Sequence, residues 1–275
     1  MSDDINKINK AVFDGIRKTI NRFRENPFLY FTEADIHSSL SKDIMNGHSN
    51  LFIMGKKNRS KIKFPVSLLH HEYPTDFRFI SEDLKQSGFK INLKMNKLDY
   101  KDEYGKGHGR RGHFDLIVLN PNFIKTEFSK GLGEEAMKQV VNKDYKNANV
   151  RNTKEEVLFA IEVKFIHEFN KKNKSMLKEV IKDDKKLNIA YNISGEYIMP
   201  INLIFCNTIY EKGKKASLID SLKEYLDNNT SQGVCSVFIE THYKDKKKIA
   251  LPIIFNNKSK EQWAKNLKKT LRVRD

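Results

Sequence analysis

Between Ile5 and Phe23 the apolar residues Ile8, Val12, Ile16, Ile20 and Phe23 recur at helical spacing, which predicts a leading amphipathic helix. After Asn26-Pro27, Thr32 stands as an N-cap before Ile36, Leu40 and Ile44, and a second helix is expected over about 33–46. The short runs Leu51 to Met54 and Phe64 to Leu69 read as strands or core pieces. Phe77 to Gln86 reads as a helix ended by Ser87-Gly88, and Phe89 to Leu93 alternates like a strand. From Lys97 to Gly112 the chain turns polar, with Gly105, Gly107, Gly109 and Gly112 among Lys106, His108, Arg110 and Arg111, a mobile basic loop.

Out of that loop comes Phe114-Asp115-Leu116-Ile117-Val118-Leu119, an apolar strand carrying one acid and stopped by Asn120-Pro121. Residues 127–155 show no core face and read as an insertion or lid. Val157 to Phe165 gives a further strand, in which Glu162 and Lys164 lie two apart and so project from one face. A helix follows over Asn173 to Ala190, with the acid Asp184 inside its apolar stripe of Met176, Leu177, Val180, Ile181 and Leu187. Ile198 to Cys206 is a buried strand and Leu218 to Leu226 a helix. Val234 to Tyr243 and Ile249 to Phe255 form a hairpin across Lys244 to Lys247, and Lys260 to Leu271 is a closing helix. No repeat or linker divides the chain, so one folded unit over residues 1–275 is expected.

Charge changes the picture. Lys and Arg number 51 against 35 Asp and Glu, a net charge of +16. Either a polyanion such as nucleic acid is the partner, or surface lysine has accumulated because it is solubilising. The polar start, MSDDINKINK, lacks a signal-peptide core, and no apolar run approaches the roughly 20 residues that span a bilayer. Cys206 and Cys235 are too few for a disulfide framework or a cysteine zinc site. A cytoplasmic protein with no membrane partner is expected.

Cleaving a phosphodiester calls for a metal held by hard oxygen ligands, to stabilise charge on phosphorus and to acidify water. A nearby ammonium can orient that water or neutralise developing charge. Asp115, Glu162 and Lys164 supply this set. An acid two residues before a lysine also recurs at Asp99/Lys101, Asp144/Lys146 and Asp245/Lys247, but in polar surroundings. Glu162-Val163-Lys164 ends a strongly apolar run, where an unpaired charge costs several kcal/mol and calls for a partner such as an ion.

An acid on one strand, in Gly112-His113-Phe114-Asp115-Leu116-Ile117-Val118, followed by Glu-x-Lys on the next, in Phe159-Ala160-Ile161-Glu162-Val163-Lys164, resembles the PD-(D/E)xK nuclease superfamily. The resemblance implies an α/β, restriction-endonuclease-like fold: a mixed β-sheet core flanked by helices in the order αβββαβ, with N- and C-terminal helical and hairpin additions. The core would run over about 28–210, from helix 33–46 through strands near 89–93, 114–119 and 157–164 to helix 174–190 and strand 198–206, leaving 211–275 as an extension. It further implies that Asp115 and Glu162 ligate Mg²⁺ or Mn²⁺ with the Val163 carbonyl, that Lys164 positions the water, and that Glu33 matches an acid on the family's first core helix. Position 114 holds Phe where the family name has Pro, and residues 116–161 intervene between the two acids, so the 127–155 insertion must lie outside the sheet.

Other residues keep two readings. Glu33 is either that acid or a first-turn acid favoured by the helix dipole. Asp184 and Lys186 either face the site, as related nucleases place a polar residue, or are solvated helix charges. Arg110 and Arg111 either wrap a phosphate backbone or belong to a flexible surface loop. Histidines 70, 71, 108 and 113 lack the spacing of a metal cluster, and Trp263 reads as helix packing. The expectation is a metal-dependent endonuclease acting on nucleic acid, DNA before RNA, in restriction, defence or repair, with a homodimer favoured if both strands of a duplex are cut. The alternative is a non-catalytic nucleic-acid-binding protein with the same fold.

Overall fold

The computed structural model describes residues 3–46, 49–56, 63–81, 89–92, 110–123, 125, 157–167, 173–194, 197–209, 222, 224–226, 228, 233–244, 247–250, 253–256 and 261–273. The expected insertion 127–155, most of the basic loop before Arg110, and His108 lie outside them. The described helices are α1 (Asp3–Glu25), α2 (Glu33–Met45), α3 (Asn173–Ile193) and α4 (Gln262–Leu271). The strands are β1 (Phe52–Lys56), β2 (Lys63–Ser67), β3 (Leu69–Ser81), β4 (Phe89–Asn92), β5 (Arg110–Leu119), β6 (Val157–His167), β7 (Met199–Ile209), β8 (Cys235–Lys244), β9 (Lys247–Ala250) and β10 (Ile254–Asn256).

β1 and β2 form a separate antiparallel pair, while the other strands build one mixed sheet in the order β10-β8-β7-β6-β5-β3-β4, with β9 also on β8. β3, β5 and β6 are joined antiparallel, whereas β6, β7 and β8 run parallel. The parallel step from β6 to β7 needs a crossover, and α3 is that crossover. The chain is therefore mixed α/β, a sheet flanked by helices, which is the coarse architecture that the resemblance implied. β8, which lies beyond the expected core, belongs to this sheet and pairs along β7 from Ile201↔Cys235 to Ile209↔Tyr243.

Period-2 alternation sorts the two faces. Odd-numbered Phe159, Phe165 and Phe205 meet α1 edge-on, through Phe13 in the first case and Phe23 in the other two. Even-numbered Ile166, Ile204, Cys206 and Phe238 pack with Met176 and Val180 of α3 on the opposite face. Trp263, Ala264, Leu267 and Leu271 of α4 are buried in the same core as α1, so Trp263 is a packing residue as read. Cys206 and Cys235 are both buried. Among the described residues no helix is long and apolar enough to cross a membrane.

Two readings of local structure need correction. The stretch from Phe77 is extended: Phe79 pairs both Ile91 of β4 and Arg110 of β5, so paired strands on either side override its helical pattern. The strand beside β5 is consequently β3, and the 89–93 strand taken for a core member is the sheet edge, β4. Arg110 and Arg111 are likewise strand residues of β5, opposite Phe79 and Arg78, rather than part of a basic loop.

α1 and α2 meet closely at Gly15, and Asp43, buried between them, accepts hydrogen bonds from Thr19 Oγ1 and Arg22 Nη2, each at 2.9 Å. A Cβ at Gly15 would stand 2.6 Å from Ile44 Cγ1 and 2.7 Å from its Cα. Helix propensity alone favours alanine over glycine by about 1 kcal/mol. Backbone contact cannot yield as a side chain does, so we expect Gly15→Ala to lower unfolding free energy by roughly 1–2 kcal/mol in urea titration, an overpacking cost larger than the propensity gain. Unchanged or increased stability would show that the helices do not approach this closely.

Candidate active site

The site lies where two neighbouring strands part. Pairing between β5 and β6 runs from Leu119↔Val157 to Leu116↔Ile161. Beyond that point β5 continues with β3, as far as Phe79↔Arg110, while β6 continues with β7, to His167↔Asn207. The flank of β6 turned toward β5 thus needs new acceptors for its N–H groups. Asp115 Oδ2 accepts from Val163 N at 2.8 Å, and Glu33 Oε2 accepts from Phe165 N at 3.2 Å. N–H and C=O of one strand residue point to the same flank, so the Val163 carbonyl is also directed to the β5 side.

Capping chemistry delivers Glu33 to this fork. Thr32 caps α2, its Oγ1 accepting from Asp35 N at 3.2 Å, while Asp35 Oδ2 accepts from Thr32 N at 2.8 Å and Phe31 N at 2.9 Å. This fixes the entry of α2 and sets Glu33 in its first turn, where Lys164 Nζ donates to Glu33 Oε1 at 3.3 Å. α2 also holds β5 directly: His37 Nε2 lies 2.7 Å from the Asp115 carbonyl. A carbonyl only accepts, so Nε2 carries a proton, and His37 Nδ1 lies 3.3 Å from His71 Nδ1. Glu72, opposite Asp115 on β3, has a φ of 49°, a left-handed conformation of the kind that collects beside functional residues.

From the other face, α3 contributes Glu179, Asp183 and Lys186, one stripe at helical spacing. Lys164 Nζ lies 3.5 Å from Asp183 Oδ2 and 3.7 Å from Glu179 Oε2. Lys186 Nζ lies 2.7 Å from Glu162 Oε1 and 3.4 Å from Asp183 Oδ1, and donates to the His113 carbonyl at 2.8 Å. The contact with Glu162 is an ion pair by distance, yet Glu162 Oε1 has no partner in hydrogen-bond geometry. We take it as a close charge contact with an unfilled lone pair. Side-chain exposure falls from 41% at Glu33 to 13% at Lys164 and 1% at Glu162, so the cluster has a mouth and a floor.

Burial pushes the Glu162 carboxyl well up from its usual range, with Lys186 opposing and Asp115 and Asp183 reinforcing the shift. Burial also raises Glu33, against the pull of Lys164. For both lysines burial disfavours the charge, but the carboxylates outweigh it: Asp183 and Glu33 hold Lys164 above its usual value, and Glu162 and Asp183 do the same for Lys186. Both amines remain ammonium ions at neutral pH. Lys164 can therefore supply charge and hydrogen bonds, but not take a proton.

Asp115, Glu162, Lys164 and Glu33 are thus brought together as the sequence suggested, with Val163 at their centre. Lys186 is in the cluster too, but buried against Glu162 rather than set out as a solvated charge. Its ammonium faces the protein oxygens of Glu162, Asp183 and His113, so of the two readings it takes the site-facing one. Asp184 faces away, accepting from Tyr225 Oη at 3.0 Å and Ser236 Oγ at 3.1 Å. His113 takes part through its carbonyl alone among the described contacts. Asp183, Glu179, His37 and His71 were not singled out as site residues from sequence. The i, i+4, i+7 spacing of Glu179, Asp183 and Lys186 is a signal that marks the first two, whereas His37 and His71 meet only through tertiary packing.

The cluster is rich in hard oxygen donors. Five carboxylates (Glu33, Asp115, Glu162, Glu179, Asp183) surround two ammonium groups, leaving an excess of negative charge when all are ionised, and buried Glu162 Oε1 has a free lone pair. Among the described residues no group of three or more His, Cys, Asp or Glu side chains is placed to hold a metal ion. No family model, no curated protein and no solved structure matches this chain.

The division of labour between adjacent acids is testable. Asp184→Ala strands the buried Ser236 hydroxyl and the half-buried Tyr225 hydroxyl, and we expect a loss of roughly 1–3 kcal/mol in urea unfolding. An effect below about 0.5 kcal/mol would mean that Ser236 and Tyr225 do not depend on Asp184.

Proposed function

We propose that the protein is a metal-dependent nuclease of the PD-(D/E)xK type, hydrolysing nucleic-acid phosphodiesters at the β5–β6 fork, with DNA as the first substrate to test. The observation that carries this reading is the convergence of Asp115, Glu162 and Lys164, from two strands that part at that point, with Glu33 and Asp183 bracketing the lysine. Asp115 and Glu162 would hold Mg²⁺ or Mn²⁺, with the Val163 carbonyl as a further oxygen donor. Such an ion, when bound, stabilises charge on the phosphoryl oxygens and acidifies a water.

The chain's own groups do the rest. Lys164, fixed as an ammonium by Asp183 and Glu33, orients the attacking water by hydrogen bonding and offsets charge growing on phosphate. Glu33 positions Lys164 and caps Phe165 N at the mouth. Glu162, at the floor, is shielded from water, so its charge acts at low dielectric and close range. The net charge of +16 draws a polyanion toward a pocket that is itself acidic. Water's oxygen joins phosphorus as the ester oxygen leaves, giving, as the resemblance implies, a 5′-phosphate. A homodimer able to cut both strands of a duplex belongs to the same proposal.

The test is cleavage of supercoiled plasmid and of single-stranded DNA with Mg²⁺ or Mn²⁺, before and after EDTA. We expect wild type to cut, EDTA to abolish cutting, and Asp115→Asn and Lys164→Ala to lose at least about 10²-fold in rate while staying folded by circular dichroism. Unchanged cleavage by both variants would falsify the assignment. Binding without cutting by all three, on DNA and RNA alike, would favour a nucleic-acid-binding protein instead.

A further inference from the structure

The ammonium of Lys186 stands among oxygens that a metal at this site would need. It lies 2.7 Å from Glu162 Oε1, 3.4 Å from Asp183 Oδ1 and 2.8 Å from the His113 carbonyl, with the Phe114 ring 5.9 Å away. The residue is 6% exposed, and Glu162, which it neutralises, is 1% exposed. A carboxylate buried to that degree requires a cation beside it, because an uncompensated charge there is costly. At 2.7 Å the Lys186 ammonium answers the Glu162 charge directly, occupying the oxygen that a metal would take.

We infer that Lys186 is a resident cation of the site, and that a divalent ion gains Glu162 only by displacing its ammonium. This rests on the metal-dependent reading proposed above and adds a property to it. A divalent ion and an ammonium cannot both lie within about 3 Å of one carboxylate oxygen without strong repulsion. Lys186 must then swing toward the mouth or find another anion, and a substrate phosphate entering by that mouth is one. Wild-type affinity for metal is thereby set below what Asp115, Glu162 and the Val163 carbonyl provide by themselves. Lys164 does not play this part, since its oxygens are those of Glu33, Glu179 and Asp183, away from Glu162.

The experiment is calorimetric titration of the full chain with Mn²⁺ alone, in wild type, Lys186→Met, Lys186→Gln and the double variant Lys186→Met/Glu162→Gln. Removing the ammonium should tighten Mn²⁺ binding at least about 10-fold in either single variant, and the double variant should lose the gain. Melting curves give a second readout that holds if a variant is weakened: Lys186→Met should melt below wild type in EDTA and be raised more than wild type by Mn²⁺. Equal or weaker Mn²⁺ binding in both single variants, with wild type still binding, overturns the resident-cation role and leaves the metal reading standing. Absence of binding in wild type and both single variants overturns the two together.

Discussion

The parting of β5 from β6 after Leu116↔Ile161 is the constraint on which the site depends. A strand flank released from its neighbour inside a protein cannot leave its N–H groups unpaired. β6 meets that requirement with side-chain carboxylates in place of a strand: Asp115 on Val163 and Glu33 on Phe165. The same two hydrogen bonds tie β5 and the start of α2 to the far half of β6, so the fork is held open at a fixed width. Everything else in the cluster is a consequence of placing two acids at this opening. Lys164 comes to lie between Glu33 and α3, and α3 answers Lys164 and Glu162 with Asp183 and Lys186.

The cluster is also a local inversion of charge. A chain with an excess of 16 positive charges gathers five carboxylates at one point and buries the deepest almost completely. Burial lifts Glu162 and Glu33 toward protonation, and the two ammonium groups oppose that lift. The lysines, conversely, are held charged more firmly than in water. The site is thus a concentration of acidic groups, two of them paired to buried ammonium ions, in a chain of opposite net charge.

The parts legible in the sequence were those governed by local pattern. The period-3.6 stripes gave α1, α2, α3 and α4, the Thr32 cap placed the start of α2, and the apolar runs gave β5 to β8. An acid within an apolar run marked Asp115 and Glu162, because burial of charge needs a reason. What escaped depends on partners distant in the chain. Phe77 to Ser81 carries a helical spacing but is extended, since β4 and β5 flank it. Asp184 and Asp183 are adjacent in sequence and similar in chemistry, yet the helix turn between them sends one to Ser236 and Tyr225 and the other to the two lysines. The meeting of His37 with His71 needed the packing of α2 against β3, which no local spacing encodes.

Capping a strand end does not by itself require this much charge. Neutral oxygens serve elsewhere in the fold: Ser194 Oγ accepts from Ile198 N, and Ser67 Oγ accepts from Leu69 N. A hydroxyl or amide oxygen at positions 115 and 33 would fill the same structural need without the cost of desolvating a carboxylate. Glu162 is the sharper case, for none of the hydrogen bonds that hold the fork uses it, and its contact is with Lys186 at 2.7 Å. A buried acid–lysine pair that caps no free strand flank is expensive as architecture. On the metal-dependent reading proposed above Glu162 is a ligand held ready, since the ion pair compensates the charge until a stronger cation claims the carboxylate.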